Sequence, residues 1–393
     1  MARRVVVHVG TMKSGTSYLQ SMLWDNKGVL AEQGVLLPTE GFGKQWRAVQ
    51  DVLGHRATTR SWGAWDALVD EVNAWEGTAV ISVEILAFNG PQRAAWVVGS
   101  FPDAEVEIVV TARDLNRTLS AMWQETIQYG RSWSRETFLA ETEATRPRRF
   151  GRHRRPEEAD AGDTFWRHQD LVRIARIWGD AAGGNLTLVT VPPAGSASEV
   201  LLRRFARTVG FDAGLLEERQ RANESIGGAS LAVLQELNAA LDARGLPYPA
   251  AGRIRKSILA KQIMAEHRTE EARLGLPVDP WVTRHSRRTV GRLRRAVRRI
   301  EGEWSDLEPA AVTGVLPQDI TVEQQAAAAD FAAMILRRRL TRRLRRLTEL
   351  APLPPERPRG GTPREALTAA VAELADLVAW DAEHEADQED ERG

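Results

Sequence analysis

The chain has 393 residues, 43% of them hydrophobic, and its 53 Lys and Arg balance 53 Asp and Glu to a formal net charge of zero. That length fills one large domain or two, and the neutral balance argues against a dedicated nucleic-acid binder. With no Cys there is no disulfide framework or thiolate metal site, and no apolar stretch approaches the ~20 residues that cross a bilayer, so no membrane insertion is expected.

In chain order, Val5–Val9 is a short β-branched run that reads as a buried strand. It begins too near the N-terminus to leave room for a signal peptide, which predicts a soluble, cytoplasmic protein. Gly10-Thr11-Met12-Lys13-Ser14-Gly15-Thr16-Ser17 follows, and Leu19, Met22 and Leu23 then recur at helical spacing. A strand, a glycine-bracketed turn and a helix point several amides and a helix dipole at one anion. Lys13 adds a point charge, and Thr16 and Ser17 add hydroxyl donors, so the segment predicts a phosphate site. Gly10 and Gly15 have the spacing of a nucleoside-triphosphatase loop, but Thr16 stands where that loop needs its lysine. A magnesium–triphosphate clamp is therefore poorly supplied.

The next strand, Thr78–Leu86, is an apolar run interrupted by one carboxylate, Glu84, near its end, and ligands of open α/β sheets sit outside the carboxyl ends of strands. Ala104–Ala112 is a further buried strand. It ends in Arg113-Asp114 and leads into a helix from about Asn116 to Tyr129. Arg113 suits phosphate because its planar fork can bond two oxygens at once. Gly151–Gly162 reads as an exposed loop able to lid the site. Phe165–Trp178 reads as one helix, Leu186–Val191 as a strand, and Leu201–Val209 as an amphipathic helix. Ser225 is placed to cap the helix that starts near Leu231.

The character changes at Pro247-Tyr248-Pro249, after which strands are expected to disappear. Thr283–Ile300 and Ile335–Leu350 are arginine-dense helices, which the neutral chain as a whole is expected to pair internally. A last helix spans Arg364–Trp380, and the acidic tail beyond it is expected to be disordered. The predicted organisation is thus an α/β domain over 1–246, a helical region over 247–380 and a disordered tail over 381–393. The α/β part is a parallel sheet flanked by helices. No His pattern of the H-E-x-x-H kind occurs, so no metal is implied. Of the 13 Trp, most are expected in the core, although several could line an acceptor pocket.

The arrangement K-S-G-T-S resembles the loop with which sulfotransferases bind the phosphosulfate end of PAPS (3′-phosphoadenosine 5′-phosphosulfate). That family often has Pro where Met12 stands and a second Thr where Ser17 stands. The resemblance covers about residues 5–240 and implies the sulfotransferase form of the P-loop-like α/β fold, of bacterial type. It further implies transfer of a sulfuryl group from PAPS, as co-substrate and without a metal, to a hydroxyl or amine of a small-molecule or glycan acceptor. Lys13, Ser14, Gly15, Thr16 and Ser17 would hold the 5′ end of the donor, Arg113 and Ser120 its 3′-phosphate, and Glu84 would be the general base. The alternatives are a nucleotide-dependent kinase of related fold and a non-catalytic nucleotide-binding or interaction module.

Overall fold

A computed structural model describes residues 2–54, 62–147, 160–218, 226–246, 251–267, 270–345 and 351–390. The first part of the chain runs β1 (Arg4–Gly10), α1 (Thr16–Asp25), α2 (Lys27–Glu32), β2 (Val35–Leu36), α3 (Phe42–Val52), α4 (Ala64–Asn73) and β3 (Thr78–Ser82). It continues through a 3₁₀ turn (Glu84–Phe88) to α5 (Pro91–Gly99), β4 (Glu105–Ala112), α6 (Leu115–Gln128), α7 (Arg135–Ala144), α8 (Ala161–Gln169) and α9 (Leu171–Ala181). Next come β5 (Leu186–Thr190), α10 (Glu199–Val209), α11 (Gly228–Asp242), a π-helix (Arg253–Met264) and α12 (Ala265–His267). The chain ends with α13 (Pro280–Ala296), β6 (Arg299–Glu301), α14 (Val322–Leu344) and α15 (Pro363–Asp390).

The six strands form one sheet in the order β2-β3-β1-β4-β5-β6, with every pairing parallel. The predicted parallel α/β architecture is therefore present. Its strands read as mainly apolar runs rather than strict alternation because both faces are covered. Val5, Val7, Val9, Ile81, Ile108 and Leu188 belong to one core layer with Val49, Leu68, Val97, Ile174 and Trp178 from α3, α4, α5 and α9. Val6, Val80, Val109 and Val189 belong to the opposite layer with Leu19 and Leu23 of α1 and Phe205 of α10.

The chain divides into two compact units, and neither is continuous in sequence. The first comprises 1–118, 141–223 and 278–310 and holds the whole sheet; the second comprises 119–140, 224–277 and 311–393. The division expected at residue 246 does not coincide with these units. The cause is β6, a three-residue strand that pairs with β5 from beyond residue 247. Three residues are too few to show a period of two, and Ile300 also fits the helical spacing of Val290 and Leu293. The helix nevertheless ends at Ala296, because Val297 turns extended at φ −109°, ψ 126°.

Other boundaries shift for local reasons. The predicted helix over Phe165–Trp178 is two helices, broken where Asp170 caps α9 by accepting the Arg173 amide at 3.1 Å. Ser225 and most of the predicted lid lie outside the described residues; α11 starts after Gly227. In the second unit, α14 packs on α15, and both contact α11 and the π-helix. Arg337 and Arg359 hold the two oxygens of Glu373 at 2.7 Å each, and Arg343 reaches Asp381 at 2.5 Å. These pairs tie α15 to its neighbours as far as Asp381, and its helix continues to Asp390, through residues for which acidic composition predicts disorder. Among the described residues no helix is long and apolar enough to cross a membrane.

Candidate phosphate-binding site at the β1–β4 switch point

In this strand order the chain leaves β1 toward β2 on one side and leaves β4 toward β5 on the other. The crevice outside the carboxyl ends of β1 and β4 is thus the topological switch point, where open α/β sheets bind ligands. The Lys13 loop follows β1, Arg113 follows β4, and Glu84 follows β3 on the other side of β1.

The loop is held in a conformation that ordinary residues avoid. Gly10 and Gly15 have φ of +80° and +82°. A Cβ on Gly15 would meet Leu201 at 2.4 Å, and one on Gly10 would meet the Glu84 Cβ at 2.9 Å. Lys13, which has no such freedom, is left-handed at φ +62°. An L-residue there carries strain of about 1–2 kcal/mol, and such strain concentrates at ligand-binding turns. Gly15 begins α1 without any side-chain cap, and the first turn contains no acidic residue. The amides of that turn have no partner inside the helix and stand ready for an anion.

A buried chain of side chains supports the turn from below. The Ser14 hydroxyl donates to the Thr11 carbonyl at 2.5 Å and lies 2.6 Å from the Thr111 Oγ1. Thr111 in turn lies 3.2 Å from His8 Nε2, and His8 Nδ1 lies 2.8 Å from Ser82 Oγ. Counting protons fixes the directions. Ser14 has spent its proton on Thr11, so Thr111 donates to Ser14 and accepts from His8 Nε2–H, while Ser82 donates to Nδ1. Full burial holds the His8 pKa down to about 3, so the ring stays neutral and keeps this tautomer. Further up, Gln169 donates to the Met12 carbonyl at 2.9 Å and Arg113 Nη1 to the Lys13 carbonyl at 3.3 Å.

Arg113 is a cation that the fold only partly satisfies. Its Nε is buried with no hydrogen-bond partner. Burial pushes its pKa down to about 10, the neighbouring Arg117 pushes the same way, and Asp114 opposes both. Asp114 itself pairs with the Arg117 side chain and accepts the Arg117 amide at 3.0 Å, as the cap of α6. Glu84 is half-buried and opens the 3₁₀ turn, two residues beyond β3 rather than inside the strand. Gln20 of α1 donates to it at 2.8 Å and to the Ser82 carbonyl at 3.1 Å.

Lys13, Ser14, Gly15, Thr16, Arg113 and Glu84 thus gather at the ends of three adjacent strands. Thr16 is buried at the head of α1, and Ser17 is exposed beside it. Ser120 lies two residues past the end of the first unit's stretch of α6, where its Oγ accepts from Gln124 at 3.3 Å. No protein-family model, curated protein or solved structure matches this chain. The supporting residues Gln20, Ser82, Thr111 and Gln169 went unmarked in the sequence. For Ser82 and Thr111 a signal existed: both are polar residues near the carboxyl ends of otherwise apolar strands. Among the described residues no group of three or more metal-ligating side chains is gathered.

Proposed function

We propose that this protein is a PAPS-dependent sulfotransferase. The observation that carries the reading is the left-handed Lys13 in an uncapped turn at the β1 end, with the under-bonded Arg113 across the switch point at the β4 end. These residues fit a donor that carries two phosphate groups. The α1 amides and the Thr16 and Ser17 hydroxyls take the 5′-phosphate, and Arg113 takes the 3′-phosphate. When bound, the donor supplies an activated sulfuryl group.

The chain's part in the reaction is positioning and electrostatics. Lys13 stabilises the negative charge that grows on the bridging oxygen as the sulfur–oxygen bond breaks. Glu84 removes the proton of the acceptor hydroxyl or amine as the new bond to sulfur forms. Gln20 holds the Glu84 carboxylate through one oxygen and leaves the other to accept that proton. The Ser14–Thr111–His8 chain keeps the loop in shape before the donor arrives, so little of the binding energy goes into ordering it.

Calorimetry of the purified protein with PAP, the desulfated donor product, and with magnesium–ATP tests the reading. PAP should bind and magnesium–ATP should not, because the loop has no lysine at the helix start. Tighter binding of magnesium–ATP would refute it and favour a kinase.

A further inference from the structure

Beside Arg113 the first unit contains a small cavity of about 40 Å³, lined among others by Arg113, Thr118, Trp166, Gln169, His285 and Ser286. A site needs about 10–15 Å³ per water molecule, so this space suits a few waters or one compact ion. Two buried polar groups on its wall lack hydrogen-bond partners, the Arg113 Nε and the Ser286 Oγ. Ser286 is 6% exposed, so bulk water does not reach its hydroxyl freely. Native folds rarely leave such groups unsatisfied, and two residues that carry them on one cavity lining point to a ligand there.

The charge around the cavity favours an anion. His285 on α13 is pushed down to about 4 by burial and by Arg146, Arg288 and Arg292, so its surroundings are positive. Asp170 also lines the space, but its carboxylate is engaged as the α9 cap and lies near the Arg173 guanidinium. Arg113 and Gln169 line the cavity and also hold the carbonyls of Lys13 and Met12, so its wall is continuous with the phosphate loop.

We propose that this cavity is a site for one tetrahedral oxyanion, phosphate or sulfate, bound by Arg113 together with Ser286 of α13. If the sulfotransferase reading holds, the oxyanion is the donor's 3′-phosphate, and Ser286 takes the role that the family resemblance implies for Ser120. A free anion is the other source of the same chemistry.

Calorimetry of the full chain and of Ser286→Ala with inorganic phosphate, PAP and adenosine 5′-monophosphate separates these cases. Removing one hydrogen bond to a charged group should weaken phosphate binding by about tenfold. Phosphate should also raise the His285 pKa, read by NMR, because its charge offsets the three arginines. If PAP outbinds adenosine 5′-monophosphate and Ser286→Ala narrows that gap, the cavity takes the nucleotide's 3′-phosphate. If Ser286→Ala weakens phosphate but PAP binds no better than adenosine 5′-monophosphate, the cavity takes a free anion. The site then stands and the donor assignment falls. Phosphate and PAP affinities unchanged in Ser286→Ala, or no phosphate binding to the unsubstituted chain, overturn the proposal.

Discussion

Replacing His8 by Gln should remove a specific part of the protein's acid sensitivity. The folded His8 pKa is about 3, against 6.5 for an exposed imidazole, because the ring is buried among Ser82, Thr111 and Phe205. The depressed value means that the fold holds the neutral ring. Below pH 6.5 the unfolded chain takes up a proton that the folded chain refuses. Stability then falls by up to about 1.4 kcal/mol per pH unit until the pH approaches the folded pKa. Between pH 7 and pH 5 the loss from this one group is about 2 kcal/mol. The assay is urea unfolding at the two pH values, followed by tryptophan fluorescence and read on the transition that the substitution shifts. Whatever the substitution costs at pH 7 cancels in the difference, as does His285, which titrates alike in both proteins. The His8→Gln protein should lose about 2 kcal/mol less than the wild type over this interval. Equal losses would show that His8 exchanges protons freely in the fold, and the hydrogen-bond chain beneath the loop would be wrong.

Glu84→Gln should lower turnover by about 10²–10⁴-fold, the usual range for a general base, while PAP affinity measured by calorimetry stays near wild type. Gly15→Ala forces a Cβ into Leu201 at a left-handed position, so PAP binding should be lost even where circular dichroism shows an intact fold. Glu373 is held below its ordinary pKa: burial opposes ionisation, but the hydrogen bonds from Arg359 and Arg337 outweigh it. Glu373→Ala removes one partner from each of two guanidinium groups, which keep Asp330 and the Pro354 carbonyl, and should cost about 1.5–3 kcal/mol in urea unfolding at pH 7. That stability is present above the usual carboxylate pKa and should fade as pH drops through the lowered one, so a penalty that persists undiminished at pH 2 would contradict the pairing.

The core strands were legible in the sequence because they are buried on both faces and read as short, mainly β-branched apolar runs. The loop was legible because close backbone approach and a left-handed turn demand glycine at Gly10 and Gly15. β6 escaped notice because three residues between an arginine helix and Gly302 show no period of their own. Gln169 and Ser286 escaped because each reaches the site from a helix distant in sequence, and only folding brings them to Arg113. The role of Ser120 is implied by the sulfotransferase resemblance alone, and no pattern in the residues themselves marks which turn of α6 lies beside Arg113.

The interleaving of the two units constrains how the chain can be made. From the N-terminus the chain passes between the units five times, so no contiguous stretch holds either one complete. A ribosome that has delivered the Lys13 loop, Glu84 and Arg113 has still to deliver α13 and β6, the last pieces of the unit that carries them. Until then β5 presents an unpaired edge, the kind of surface on which nascent chains associate wrongly. A chain stopped at Leu246 would keep that edge permanently, and Ser286 would never arrive. The charged groups of the candidate site are thus all delivered by Arg113, yet the wall beside that arginine waits for Gln169 and, much later, Ser286 of α13.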